Sequence, residues 1–530
     1  MARLWILSGL TVLSVAMVLG ALLIWPWWWI PAAIILGLLA LAVFDVVQRR
    51  HSVLRNYPVL GHMRFLLERI RPEMQQYFVE RNFDGRPFDR DTRSLIYQRA
   101  KGVQGEQPFG TERDVNEIGY EYLLHSTAPV PAPGRPHRVR VGGPGCTKPY
   151  DMALLNVSAM SFGALSANAI LALNAGAAKG GFAHDTGEGG LTQYHLRHGG
   201  DLVWEIGSGY FGARTEDGDF DAGMFADKAG HDSVKCVSLK LSQGAKPGVG
   251  GVLPGPKVTA EIARARNVPQ GKTCVSPPSH RVFSTPRELI QFVARMRELA
   301  DGKPTGFKLC VGSRLEVLAI CKAMLSEGVS PDFVIVDGGE GGTGAAPPEY
   351  SDHVGTPLTE GLMTVHNALV GVGLRAQVKI GGAGKVSTGT DIVKRIIQGA
   401  DYTNSARAMM MATGCIQAQR CHTNHCPVGV ATQDPKRARA LDVADKTLRV
   451  QRFQEATVAE AQQMMASMGV SHPSQLSPAH LQRRVEHTST RSYAELFQWL
   501  SPGELLADPP QEWVQDWKDA DPDRFQGAIR

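Results

Sequence analysis

The chain has 530 residues, 43% of them apolar and 20% charged, and a formal net charge of +5. These proportions exclude a disordered chain and describe one able to bury a large core, and no basic block interleaved with aromatics offers a nucleic-acid surface. The length accommodates roughly two to four average domains or a single elaborated α/β barrel.

Leu4 to Ile24 is an almost uninterrupted apolar run, Trp25 to Pro31 is a Trp/Pro turn, and Ala32 to Val47 is a second run. Each is near the length that crosses a bilayer, the second once Ile30 and Pro31 are included. A signal peptide is the competing reading, but the first run is too long, lacks a small-residue cleavage site and is followed by another run. Residues 1–50 are therefore expected to form a transmembrane hairpin. Trp25, Trp27, Trp28 and Trp29 belong at the far interface, while Arg3 stands at one end and Arg49, Arg50 and Arg55 follow the other. By the positive-inside rule both ends face the cytoplasm, which sets the protein in the inner (cytoplasmic) membrane with its body on the cytoplasmic side.

Residues 51–145 read as a helical or irregular bracing segment, with charge-rich helical patterns such as Met63–Arg81. From about residue 150, short β-branched runs alternate with longer helical patterns, as in βα units on a parallel sheet. The expected strands are Ala153–Ser158, Phe182–His184, Val203–Ile206, Cys236–Leu241, Gly306–Leu309, Phe333–Val336, Gln377–Ile380 and Tyr402–Asn404, the third being equally readable as a helix end. Eight such units predict an α/β fold, a TIM (β/α)8 barrel, with an open doubly wound sheet as the alternative. Residues 435–530 read as a helical C-terminal extension.

Polar and glycine-rich motifs follow these strands, among them Ser158–Ser166, Asp185–Gly190, Ser208-Gly209, Lys240 through Lys246, Lys308, Asp337–Gly344, Gly381-Gly382 and Ser405–Arg407. In a barrel they converge on one rim and one pocket. The strand running into Gly381-Gly382-Ala-Gly384, and the next into Ser405-Ala406-Arg407, predict backbone amides that bind a phosphate-bearing cofactor.

Five cysteines, Cys146, Cys236, Cys274, Cys310 and Cys321, are scattered singly and read as buried thiols in a reducing compartment rather than a disulfide framework. The other three, Cys415, Cys421 and Cys426, are spaced C-x5-C-x4-C with Pro427 directly after the last. Such a loop is a soft metal site. An iron–sulfur cluster is the leading reading, and zinc completed by His422 or His425 is the alternative.

The ordered motifs Ser-Ala-Met-Ser-Phe-Gly-Ala-Leu-Ser, Asp-Thr-Gly-Glu-Gly-Gly, Gln-Gly-Ala-Lys-Pro-Gly, Asp-Gly-Gly-Glu-Gly-Gly-Thr-Gly-Ala and Cys-His-Thr-Asn-His-Cys-Pro-Val-Gly-Val-Ala-Thr-Gln span about 146–434. In them the chain resembles the FMN-binding synthase domain of glutamate synthase, in its short bacterial and archaeal form. The resemblance implies an FMN-binding barrel over 146–434 and a 3Fe-4S cluster on Cys415, Cys421 and Cys426. It implies FMN contacts from Ser158, Ala159, Met160 and Ser161 along the ring edge and from Ser208. Lys308 is implied near the pyrimidine, and Gly381, Gly382, Gly384, Ser405, Ala406 and Arg407 at the phosphate. The 2-oxo acid falls to Lys240, Lys246 and Arg266, while Glu340 stands where the family more usually has aspartate and is implied as a proton donor or acceptor.

The implied reaction is that of an oxidoreductase acting on CH–NH2 donors, the reductive amination of 2-oxoglutarate or a related 2-oxo acid. Its electrons come from an external donor, a ferredoxin-like protein or reductase subunit, and its ammonia is free or comes from a glutaminase subunit. Val249 and Val252 replace the Glu and Gln of the full-length family, so the 2-oxo acid is expected to differ or be smaller. Two other readings stay open: a membrane-linked flavin dehydrogenase of another amino or hydroxy acid, and a non-catalytic electron-transfer subunit.

Overall fold

The computed structural model describes residues 2–103 and 105–525 and divides into two compact units, Met1–Asp91 and Thr92–Arg530. In the first unit, helices α1 (Ala2–Leu23) and α2 (Trp29–Val47) are joined by a tight turn at Pro26–Trp28. Both spans are long and apolar enough to cross a membrane. They pack closely because Gly20 leaves room for the Trp28 ring, which a Cβ there would meet at 3.0 Å. At the end of α2 the buried Asp45 accepts the Val59 N–H at 2.9 Å and pairs with His62 Nε2 at 2.9 Å. That knot turns the chain back into the helix α3 (His62–Met74).

In the second unit, eight parallel strands close on themselves. They are β1 (Leu155–Val157), β2 (His184–Asp185), β3 (Leu202–Ile206), β4 (Val234–Lys240), β5 (Thr305–Leu309), β6 (Phe333–Asp337), β7 (Lys379–Ala383) and β8 (Tyr402–Ser405). Each expected strand is present with shifted ends, and the ambiguous third is a fully buried strand. The largest shift is in β7, which takes in Gly381 and Gly382, so the expected turn begins only at Gly384. Gly381 faces the barrel interior, where the Tyr402 ring fills the space a side chain would need, 2.7 Å from its absent Cβ.

Strand alternation separates two cores. Trp204, Leu239, Phe307, Val334 and Ile380 pack outward under the helices, while Val203, Cys236, Phe333, Ile335 and Tyr402 fill the interior. A β-hairpin, Arg138–Val141 paired with Tyr150–Ala153, closes the floor with Val141 and Met152. It is fastened by Asp332, which leads into β6: Oδ1 accepts the Gly143 N–H at 2.6 Å and Oδ2 accepts from Arg297 Nε at 2.9 Å.

The helices carry their own start and stop signals. Ser166 caps Ala167–Gly180, which ends at left-handed Gly181, and a Thr285/Glu288 capping box starts Pro286–Leu299. The helix after β8, Arg407–Ala412, has only six residues. Its place in the shell is filled by the long helix Val443–Ser467, which packs closely enough on Ala167–Gly180 that a Cβ at Gly176 would meet Val450 at 2.6 Å. Beyond it the helical extension includes a β-ribbon, Leu481–Glu486 with Ser489–Ser492, which pairs with Glu121–Leu123.

Candidate active site at the barrel mouth

Toward the carboxyl ends of the strands the inward-facing side chains change from apolar to charged. Glu205 of β3 and Lys308 of β5 form a buried ion pair across the intervening strand. Asp185 at the end of β2 and Asp337 at the end of β6 share its field, and Lys240 closes β4. Burial lowers the proton affinity of Lys308, but Glu205, Asp185 and Asp337 outweigh it and raise the ammonium above its usual range. For Asp185 the balance goes the other way: burial, then Glu205, push its carboxyl up to about 8 against the pull of Lys308 and the Gly187 N–H.

Lys240 Nζ donates to Glu188 Oε1 at 2.8 Å. Glu188 sits where Gly207 and Gly251 leave no room for a side chain of their own. Its desolvation is outweighed by Lys240 first and Arg266 next, so the carboxyl stays below its usual range. Lys246 is buried, donates to the Ala345 carbonyl at 2.9 Å, and is lowered to about 8 by burial and the neighbouring Lys240.

Arg266 is also buried, its Nη2 donating to Ser161 Oγ at 3.3 Å and the Phe162 carbonyl at 3.1 Å, its guanidinium 5.1 Å from the Phe211 ring centroid. Its Nε–H is buried without a partner. Lys240, Lys246, Glu188 and Arg266 are thus one electrostatically linked group.

Glu340 is not part of that group. Its carboxylate accepts the Leu358 N–H at 3.0 Å, at the start of helix Leu358–Gly371, and lies 4.0 Å from Arg395 Nη2. Among the described residues no hydrogen bond or ion pair joins it to Lys240, Lys246 or Arg266.

The loops after β6, β7 and β8 are tied to one another. Arg407 Nη2 donates to the Glu340 carbonyl at 2.7 Å, and Ser405 Oγ donates to the Val386 carbonyl at 2.7 Å. Between them, Gly384 and Lys385 turn at φ of 151° and 53°. The following helix start is closed by Thr388 and Asp391, whose Oδ2 accepts the Ser387 and Thr388 N–H groups, each at 2.9 Å. Gly384–Lys385 and Ala406–Arg407 thus form the turns after β7 and β8, with Gly381 and Gly382 inside β7. Across the mouth, Ser158, Ala159 and Ser161 are half-buried, Met160 is buried, and Ser208 Oγ donates to the Pro277 carbonyl.

Cys415, Cys421 and Cys426 lie near enough to interact through space. The loop is held in an unusual shape: Gln417, Gln419 and Asn424 have φ of 56°, 53° and 64°, and the Gln417 N–H points to Cys415 Sγ at 3.4 Å. Burial raises the Cys415 thiol to about 12 and, with the neighbouring Cys426, raises Cys421 as well. Among the described residues no three His, Cys, Asp or Glu side chains converge on one ion position, and His422 and His425 are exposed.

The sequence motifs include Asp185 but not Glu205 or Lys257. A glutamate inside the apolar strand Leu202–Ile206 was the available signal, because a charge in a buried strand needs a partner. Lys257 is buried, donates to the Ala164 carbonyl at 2.9 Å and interacts with Cys421 and Cys426, and nothing in its local sequence marks it.

A closed parallel barrel with buried, paired cations and carboxylates at its mouth, beside a three-thiol loop, defines a TIM-barrel protein. More particularly, the chain belongs to the glutamate synthase family, a family of oxidoreductases: residues 150–471 match the conserved region in glutamate synthase. It is 37% identical over 505 residues to a glutamate synthase large subunit-like protein of Bacillus subtilis, covering 86% of this chain and 96% of that one. It is 33% identical over 316 residues to an archaeal glutamate synthase [NADPH] of Methanocaldococcus jannaschii, covering 59% of each chain. Among solved structures, mandelate oxidase with (S)-2-phenylpropionate is similar at 13% identity and a TM-score of 0.41, covering 76% of this chain and 97% of that one, too low to bear on activity.

Proposed function

We propose that this chain is a membrane-anchored oxidoreductase carrying FMN and a 3Fe-4S cluster, which reductively aminates 2-oxoglutarate or a related 2-oxo acid. The observation that carries the proposal is the buried, partnerless Nε–H of Arg266, grouped with Lys240 and Lys246 at the mouth of a barrel of the glutamate synthase family.

The residues present fit both prosthetic groups. For FMN, the left-handed turn at Gly384–Lys385, the Ala406 amide and the Arg407 guanidinium suit a phosphate, Ser158–Ser161 and Ser208 line the opposite side, and Lys308 is a fixed cation for the ring. For the cluster, three clustered thiols, an N–H aimed at sulfur and the nearby Lys257 ammonium suit an anionic iron–sulfur centre. In a cluster each thiolate meets its own iron, so a single-ion cage is not required. When bound, FMN supplies hydride and the cluster supplies single electrons.

The remaining work falls to the chain. Arg266 and Lys246 hold the carboxylates of the 2-oxo acid, and Lys240 is oriented by Glu188. The 2-oxo acid and ammonia lose water to give an imine, whose reduction to the amine consumes two electrons from an external donor and two protons. Asp185, which keeps its proton up to about 8, and Lys240 are the proton-bearing groups inside the mouth. Glu340 shapes the loop after β6 by capping a helix, and in this proposal it handles no proton. Val249 and Val252 are half-buried and apolar, favouring a shorter or less polar distal group than that of 2-oxoglutarate.

The ammonia is free or supplied by a glutaminase subunit. The electron donor is a ferredoxin-like protein or a reductase subunit at the cytoplasmic face of the inner membrane. The test is an anaerobic screen in which the reduced protein receives each of a panel of 2-oxo acids with ammonia. Flavin reoxidation with at least one of them, and formation of the amino acid, is expected. No reoxidation by any 2-oxo acid would contradict the reading.

A further inference from the structure

Seven large apolar side chains follow the hairpin at helical spacing and remain exposed: Met63, Leu66, Leu67, Ile70, Met74, Tyr77 and Phe78, between 42% and 79% accessible. Met63, Leu66, Leu67, Ile70 and Met74 recur at intervals of three and four residues along α3, which places these five on one stripe of the helix, and Tyr77 and Phe78 follow in the π-helical turn Gln75–Val79. No residue of α3 is buried. Residues 49–81, which contain it, carry seven arginines against three glutamates. Arg64 and Arg71 flank one side of the stripe, and Arg49, Arg50 and Arg55 precede it. The stripe begins 16 positions after Val47, the last residue of α2, and is tethered to that end by the Asp45–His62 pair at 2.9 Å.

We infer that α3 and its continuation lie along the membrane surface, with the apolar stripe against the acyl chains and the arginines among anionic headgroups. The occupant of the stripe is the leaflet that the hairpin leaves. A helix with one apolar face and flanking arginines takes this position because burial of the stripe and attraction to anionic lipid act together. The tether keeps the helix start at the exit of α2, so the lipid surface is the apolar phase nearest to it. The inference rests on the reading of residues 1–50 as a membrane hairpin.

The test uses the full chain reconstituted into vesicles of phosphatidylcholine and phosphatidylglycerol, with an environment-sensitive fluorescent amino acid placed singly. Brominated acyl chains are the quencher. Positions 67, 70 and 74 are expected to lose fluorescence, and 68, 69 and 76 are not. Stripe quenching should weaken when phosphatidylglycerol is omitted. A label at Leu36, within the hairpin, separates the two readings. Quenching at 36 without quenching along the stripe overturns this inference alone, and no quenching at 36 overturns the hairpin and this inference together. Stripe labels that shift only as protein concentration rises would instead identify a contact between copies of the chain and contradict the lipid assignment.

Discussion

At the scale of single residues, three side chains allow sharp predictions. Asp185 holds its proton up to about 8 in the folded barrel, through burial first and Glu205 second. The unfolded chain loses that proton in the ordinary carboxylate range, so between there and about 8 the folded state binds more protons, and this residue's contribution to stability declines as pH rises. Asp185→Asn should therefore gain in melting temperature relative to the parent as pH is raised from about 5 to about 8. Parallel melting curves across that range would show the assignment to be wrong. Lys246, lowered to about 8, should bind a 2-oxo acid only as its ammonium, so KM should rise as pH passes about 8 and Lys246→Arg should move that rise upward. An unchanged KM profile in the arginine variant would remove Lys246 from substrate binding. Cys421→Ala should lose the iron–sulfur absorption while retaining FMN, and an intact cluster spectrum in that variant would reject Cys421 as a ligand.

At the scale of elements, the floor hairpin depends on one buried carboxylate. Asp332 accepts from Arg297, Gly143 and Thr305, so Asp332→Ala strands a guanidinium and two backbone donors. A loss of about 3–5 kcal/mol in urea unfolding is expected, and a loss under about 1 kcal/mol would mean that water replaces it.

The eight strands were legible because each is a short apolar run ended by glycine or a polar residue. Their ends were less so, as β7 shows: Gly381 looks like a turn residue in sequence, yet it stays in the strand because Tyr402, on the neighbouring strand, needs its space. The cations Lys240, Lys246 and Arg266 were legible through their motifs. Glu205 and Lys257 were not, because what marks them is a partner brought near by barrel closure. Glu340 was singled out by its motif, and the fold adds a contact that the motif does not show, its carboxylate accepting the Leu358 N–H at a helix start. The Val443–Ser467 helix read as an extension, and only the shortness of Arg407–Ala412 shows why it completes the shell.

At the scale of the whole molecule, the proposal joins an N-terminal membrane hairpin to an oxidoreductase barrel of the glutamate synthase family. The chain should sediment with membranes, resist carbonate extraction and dissolve in detergent; release by carbonate would contradict the hairpin. The central claim is that FMN and an iron–sulfur cluster share the barrel mouth. Its most direct test is the absorption spectrum of protein purified anaerobically and reconstituted with FMN, iron and sulfide, with both groups quantified per chain. A yellow-brown protein holding stoichiometric FMN and iron is predicted, whereas protein that stays colourless after reconstitution would contradict the account.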